Sequence, residues 1–330
     1  MTMTGSVRWG IVGTARIART LFLPSLREAG GDPAAVAARD RNRAAQWAAA
    51  NGIGRAIVGY ENLVEDPEVD ALYIPLPNAL HGEWTIRALR AGKPVLCEKP
   101  LTGTVAETEQ VLAVARETGT PLWEAFAFPF HDQMARLRGL LEDGTIGDLR
   151  EIQSDFYFFM SDRDTNIRMS TLLAGGALLD IGCYPVRLAR DLFGAEHEGA
   201  WAQADFDAGG VDVTTWGCLD FPGGRHLYLS CGFTRAGETF SRLLGTRGQI
   251  NITNPFHPAA DDTFEIRAAG REPVTHPGAG PNRHSFTPLI QHIQAVVTGS
   301  ETPRLLAVDT SLGSAQALQD LAAASAKTVA

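Results

Sequence analysis

Cysteine is sparse: Cys97, Cys183, Cys218 and Cys231 form no CxxC pair and no spacing suited to metal ligation. Neither a metal centre nor a disulfide framework is expected, and reduced thiols fit a cytoplasmic protein. Cations are in deficit, with 29 Lys and Arg against 38 Asp and Glu and a net charge of −9. Binding to nucleic acid demands clustered cations, so no such partner is expected. No apolar run approaches the ~20 residues that cross a bilayer, so no membrane span is expected. The opening MTMTGSVRWGIVG has no basic segment followed by a long apolar run, so no secretory leader is expected. Internal repeats and low-complexity blocks are missing as well.

What is present is ordinary globular material. Hydrophobic residues make up 45% and charged residues 20%, enough to bury large cores, and 330 residues suggest two domains. From residue 6 to about 125, short apolar runs alternate with helical patterns. VRWGIVG, AAVAARD, ALYIPLP, PVLCEKPL and PLWEAFAF read as strands. ARTLFLPSLREAG, NRAAQWAAANG, HGEWTIRALRAG and AETEQVLAVARETG read as helices between them. That alternation predicts a parallel sheet with right-handed crossovers. Beyond about residue 127, closely spaced strand candidates from LREIQSDFYFF to DTFEIRAA predict a wide, mostly antiparallel sheet. Helical patterns accompany them at 131–142, 175–193, 285–298 and 309–326. The expected fold class is α/β, with a parallel-sheet domain over 1–125 and an α+β domain over 126–330.

The first strand runs into Gly13, Thr14, Ala15, Arg16, Ile17 and Ala18. Against the dinucleotide fingerprint G-x-G-x-x-G/A, Gly13 matches the first position and Ala18 the last, while Ala15 replaces the middle glycine and trims the clearance for a pyrophosphate. A helix start behind the turn would offer N–H groups and a positive dipole end to phosphates. Residues 13–17 are therefore candidate cofactor contacts; a plain strand–turn–helix is the competing reading. The second strand ends in Arg39-Asp40-Arg41-Asn42-Arg43. An acidic residue there holds the ribose hydroxyls of NAD, whereas arginine accommodates the extra phosphate of NADP. Arg39, backed by Arg41 and Arg43, favours NADP; Asp40 keeps NAD open; a solvated charged loop is the plain alternative.

Two further strand ends carry polar groups: Pro77, Asn78 and His81 in PLPNALH, and Glu98 and Lys99 in VLCEKPL. Ligands of parallel sheets sit outside the carboxyl ends of the strands, so these residues join the cofactor-side candidates. Pro100 fixes the backbone after Lys99 and makes the Lys99–Pro100 bond a candidate cis peptide. In the second half, GGALLDIGCYP places Asp180 and Tyr184 four apart, on one face if helical, with Pro185 kinking or starting the helix nearby. A core tyrosine with a satisfied hydroxyl is the alternative. SDRDTNIRM supplies Arg163, Asp164, Asn166 and Arg168 as substrate contacts, or a solvated loop. FYFF at 156–159 reads as sheet core, with Tyr157 or Phe158 able to face a cleft by alternation. His257 and His284 are weaker candidates for substrate contact, each read first as a surface or structural residue.

GIVGTARIA, IPLPNALH, CEKPL, GGALLDIGCYP and GTRGQINI, in this order and spacing, resemble the glucose-fructose oxidoreductase / inositol dehydrogenase / rhizopine-catabolism family of NAD(P)-dependent oxidoreductases. Tyr184 matches the branch of dihydrodiol dehydrogenases, NADP-linked xylose and glucose dehydrogenases and sugar 3-ketoreductases, where inositol dehydrogenases carry histidine. The resemblance implies a Rossmann domain, then an open-sheet domain that binds substrate and pairs subunits into a homodimer or homotetramer, with the last helix packing back on the first domain. It implies hydride transfer between a nicotinamide and a carbinol, ketone or hemiacetal carbon of a sugar or nucleotide-linked sugar. Lys99 and Tyr184 would be the catalytic pair, with Asp180 supporting the substrate or the base. A tyrosine ordinarily titrates near pH ~10, too high for a base at neutrality, and a lysine ammonium lowers that value. Tyr184 is therefore read as the acid/base and Lys99 as its electrostatic partner, the direct proton donor staying open between them. Three residues depart from the family pattern: Ala15, Ala38 where NADP-using relatives often carry serine, and Pro129 where many carry arginine. A dehydrogenase of small cyclic diols and a non-catalytic dinucleotide-binding regulator are the alternatives; a regulator would need neither Lys99 nor Tyr184.

Overall fold

A computed structural model of the chain describes residues 6–326 apart from 238, 259, 260, 279, 281 and 283. Two compact units form, one from Met1–Phe126 and Asn282–Leu312, the other from Ala127–Pro281 and Gly313–Ala330.

The first unit is built on a six-stranded parallel sheet: β1 (Arg8–Val12), β2 (Asp32–Ala38), β3 (Arg55–Val58), β4 (Ala71–Ile74), β5 (Val95–Cys97) and β6 (Leu122–Glu124). The spatial order is β3-β2-β1-β4-β5-β6. It reverses between β1 and β4, the switch point at which doubly wound sheets bind ligands. The all-apolar ALYI and VLC strands are buried throughout, as strands covered by helices on both faces must be. Leu72, Ile74 and Cys97 join Val111 and Leu112 in one core cluster. The connecting helices are α1 (Leu23–Glu28), α2 (Arg41–Ala50), α3 (Tyr60–Val64), α4 (Asn78–Arg90) and α5 (Val105–Thr118). Their ends follow local chemistry: the side chains of Asp40 and Thr104 accept N–H groups at the starts of α2 and α5, and Gly119 closes α5 at φ +65°. The four-residue β3 and five-residue α3 lie where the sequence carries too short an apolar pattern to announce them.

ARTLFLPSLREAG is not one regular helix. A π turn, Ala18–Phe22, precedes α1, and Pro24 stands in the first turn of that helix. The same device recurs in the second unit, where a π turn over Leu178–Gly182 leads into the helix Cys183–Phe193, with Pro185 near its start. A proline has no N–H to give to the carbonyl four residues back, and its ring collides with it; a widened turn just before removes the conflict.

The second unit carries α6 (Asp132–Glu142), β7 (Leu149–Tyr157), α7 (Cys183–Phe193), β8 (Gly199–Phe206), β9 (Asp212–Phe221), β10 (Arg225–Gly232), β11 (Phe240–Gly245), β12 (Gly248–Ile252), β13 (Thr263–Ala268) and β14 (Val274–Pro277). The eight strands run β14-β13-β12-β11-β7-β10-β9-β8. Every pairing is antiparallel except β7 with β10. Burial alternates along β9, so one face is covered while the other keeps Trp201 and Tyr228 exposed. α7 packs on β7 and β10. Thr171–Phe193 is long and apolar enough, by composition, to cross a membrane. Counting uninterrupted apolar residues stops at Asp180 and so misses it. Of that apolar window 72% is buried within the fold, as befits a helix covering a sheet.

Candidate active site

The first unit supplies a phosphate-type turn. Gly13, at φ +102°, donates its N–H to the Ala37 carbonyl of β2 at 2.9 Å. A side chain there would be strained and would stand 2.8 Å from Leu76, so only glycine suits the position. Thr14 and Ala15 make the turn and helical backbone begins at Arg16, which leaves the first N–H groups pointing outward beside Ile17. Arg43, on the first turn of α2, donates from Nε to Thr14 Oγ1 at 2.7 Å and so ties the β2–α2 corner to this turn. Asp40 is committed to capping, accepting the Arg43 N–H at 2.8 Å, while Arg39, Arg41 and Arg43 form an exposed cationic rim. A bare-backbone turn, a helix start and an arginine rim fit a phosphorylated dinucleotide. Pro77 and Asn78 open α4 at the end of β4, both half-buried.

The Lys99–Pro100 peptide is cis. Lys99 and Glu98 are 8% and 6% exposed, unusual for charged side chains and affordable only with partners. Tyr73 donates its hydroxyl to Glu98 Oε1 at 2.6 Å, and the Lys99 N–H reaches Glu98 Oε2 at 3.3 Å. Two buried side chains grip the turn just beyond. His81 Nδ1 lies 2.8 Å from the Pro100 carbonyl and Nε2 lies 2.7 Å from the Leu76 carbonyl. Glu124, at the end of β6, accepts the Leu101 N–H at 2.8 Å on Oε1 and the Ser311 hydroxyl at 2.6 Å on Oε2. His81 was expected to touch the cofactor; instead it is fully buried, both ring nitrogens face backbone carbonyls, and burial lowers its pKa. It positions the lysine turn. Glu124 escaped sequence reasoning because a single glutamate closing an apolar run carries no periodic signal.

The second unit supplies a tyrosine in an aromatic nest. Tyr184, in the first turn of α7, is 5% exposed, with its ring centroid 5.4 Å from that of Phe156 and 5.1 Å from that of Phe256. Its hydroxyl lies 3.4 Å from His257 Nε2. Asn254 orients that histidine, accepting its N–H at 3.2 Å and donating to its carbonyl at 2.7 Å. His257 is a weak candidate by sequence; 73 residues separate it from Tyr184, so the fold alone brings them together. Asp180 lies in the π turn, so α-helical spacing does not govern its relation to Tyr184. It pairs with Arg168 Nε at 2.5 Å, and the Arg168 guanidinium lies 5.9 Å from the Phe158 ring. The polar loop is short 3-10 turns rather than irregular chain. Arg163 donates to the carbonyls of Met160 and Phe233 at 3.3 and 3.0 Å, and Asn166 accepts the Arg168 N–H at 3.1 Å. Arg163 thus ties the loop to the segment after β10 and Asn166 caps its own turn, both half-buried.

Asp212 supports the π turn from β9. Its Oδ2 accepts the Leu178 N–H at 2.7 Å and the Thr215 hydroxyl at 3.0 Å. Burial nonetheless pushes its carboxyl up to about 6. Gly176, at φ +120°, leaves room for it: a Cβ there would sit 2.0 Å from Asp212 Oδ1.

Residues 7–126 match the family described as oxidoreductase family, NAD-binding Rossmann fold, and residues 134–251 match the GFO/IDH/MocA C-terminal domain. A dTDP-3,4-didehydro-2,6-dideoxy-α-D-glucose 3-reductase of Streptomyces violaceoruber is 42% identical over 77% of this chain and 75% of its own. A trans-1,2-dihydrobenzene-1,2-diol dehydrogenase of Mus musculus is 38% identical over 77% and 76%. Among solved structures, a 3-ketoreductase from Actinomadura kijaniata with NADP and TDP-benzene superposes with a TM-score of 0.87 at 32% identity, covering 97% of this chain and 98% of that one. That enzyme has also been solved with one lysine replaced by alanine or glutamate and one tyrosine by phenylalanine. The chain belongs to the GFO/IDH/MocA family of oxidoreductases.

Proposed function

We propose that the protein is an NADP(H)-dependent oxidoreductase acting on a secondary alcohol, ketone or hemiacetal carbon of a sugar or nucleotide-linked sugar. The observation that carries this reading is Lys99: a nearly buried ammonium at the carboxyl end of β5, with its turn gripped by His81 and Glu124. Residues 13–17 hold the pyrophosphate, and Arg39 and Arg43 take the additional phosphate of NADP. Bound there, the cofactor supplies or accepts the hydride. Tyr184 gives its proton to the substrate oxygen during reduction and takes it back during oxidation, with His257 Nε2 next in line. Lys99 contributes positive charge that stabilises an oxyanion. Asp180 holds Arg168, whose guanidinium is the polar substrate contact of this unit.

The named activities of the relatives favour sugars and nucleotide sugars, and the mouse relative adds a cyclic diol as the second reading. The exposed face of the eight-stranded sheet is read as the surface through which copies pair, and the cytoplasm as the location. The test is NADPH oxidation over a panel of ketosugars and nucleotide-linked ketosugars, with diol oxidation in parallel, for wild type, Lys99→Ala and Tyr184→Phe. Each variant is expected to lose about 10²-fold or more in kcat. Wild-type rates in both would overturn the assignment of the catalytic residues, and turnover of the diol alone would move the substrate class.

A further inference from the structure

On the exposed face of the large sheet, Cys218, Asp220 and His226 converge. Asp220 and His226 are directly opposite on β9 and β10, and Cys218 is two residues before Asp220, hence on the same face. His226 Nδ1 lies 2.8 Å from Asp220 Oδ1, and the Cys218 thiol donates to the same oxygen at 3.8 Å. One sulfur, one nitrogen and one oxygen atom from the three side chains all lie within 4.8 Å of one another. The spacing that matters is across strands, which is why reading the cysteines along the chain missed it. We propose that this trio is a binding site for a borderline divalent cation of the zinc class.

The donor set selects the metal. Thiolate, imidazole and carboxylate together suit Zn2+, Co2+ or Ni2+ and disfavour Mg2+ and Ca2+, which want oxygen alone. Three protein ligands leave a tetrahedral ion one further position, for water or for Glu151, which neighbours His226 on β7. One feature prepares the site for a cation. Asp220 Oδ1 is already the shared partner of both other ligands, so a cation would replace a thiol proton at the point where these contacts meet. Binding then exchanges that thiol proton, released to solvent, for the S–metal bond.

The experiment uses the full-length protein, stripped with a chelator and titrated with Co2+ at neutral pH. One equivalent should bind with a sulfur-to-cobalt charge-transfer band and about one proton released, and Zn2+ should displace it. Cys218→Ser should lose the band, and His226→Gln should weaken binding at least tenfold; circular dichroism and thermal midpoints verify that both variants fold. No saturable binding, or a charge-transfer band that persists in Cys218→Ser, overturns the proposal. These readouts are independent of any turnover, so their failure leaves the oxidoreductase reading untouched.

Discussion

Replacing Asp212 with asparagine should flatten the dependence of stability on pH between about pH 4 and 6. The folded chain holds this carboxyl at about 6 against an ordinary 3.8, because burial outweighs the hydrogen bonds from Leu178 and Thr215. Between those values the unfolded chain has lost a proton that the folded chain keeps. Stability therefore falls as pH rises through this window, and the penalty is complete above pH ~6. At about 1.36 kcal/mol per pKa unit the gap is worth roughly 3 kcal/mol as a ceiling. Partial access of water to the carboxyl brings the working figure to about 2 kcal/mol. Urea midpoints of wild type and Asp212→Asn, measured from pH 4 to 7.5, isolate the effect from all other carboxylates by their difference. Asparagine places an amide NH2 among donors, so the variant should be less stable at every pH; the slope, not the level, is the readout. Equal slopes in the two proteins would refute the argument that Asp212 folds with its proton held.

Removing the cationic rim with Arg39→Ala and Arg43→Ala together should raise KM for NADPH about tenfold or more while leaving KM for NADH within about twofold, because a charge-assisted hydrogen bond is worth about 1.5–3 kcal/mol; steady-state kinetics with both cofactors decides, and parallel losses would point to damage of the Thr14 turn instead. Glu124→Ala should lower kcat with little change in KM for NADPH, since it strands the buried Leu101 N–H at a cost of about 1–3 kcal/mol and loosens the lysine turn. Glu124→Gln, whose carbonyl can still accept that N–H while Ser311 turns to accept, should recover most of the loss; failure of this rescue would separate Glu124 from the geometry of Lys99.

Much of the first unit is legible in the sequence because its information is local. Apolar four-residue strands between amphipathic helices announce a parallel sheet, and such a sheet has one functional edge, so Gly13, Asn78, Glu98 and Lys99 could be placed there by counting strands. His81 misleads for the same reason: position in the chain put it at the edge, but a fully buried imidazole between two carbonyls is visible only once packing is known. Arg163 and Asn166 have the right chemistry for a sugar; what the sequence does not show is that Arg163 reaches the Phe233 carbonyl 70 residues away while Asn166 caps its own turn. Glu124 and Asp212 were invisible, and His257 no more than a weak candidate, because each acts through a partner more than thirty residues away or across strands, and no period in a sequence encodes that.

The π turn gives Asp180 and Tyr184 different surroundings. Four residues apart in a regular α-helix, an ionised carboxylate would stand beside the phenol and oppose its ionisation, the wrong influence on a group that must shed a proton. Pro185 prevents that regular helix, and the widened turn gives Asp180 a partner of its own, Arg168, at 2.5 Å. An Asp–Arg pair presents little net charge to its surroundings, so the carboxylate no longer disfavours a phenolate nearby. The pair also aims a guanidinium, fixed by a buried acid and a ring face, where a flexible surface arginine would have had to surrender its rotamer freedom on each binding event. Asp180 is thus better suited to presenting Arg168 than to supporting a base, and in the proposed mechanism proton movement falls to Tyr184 and His257.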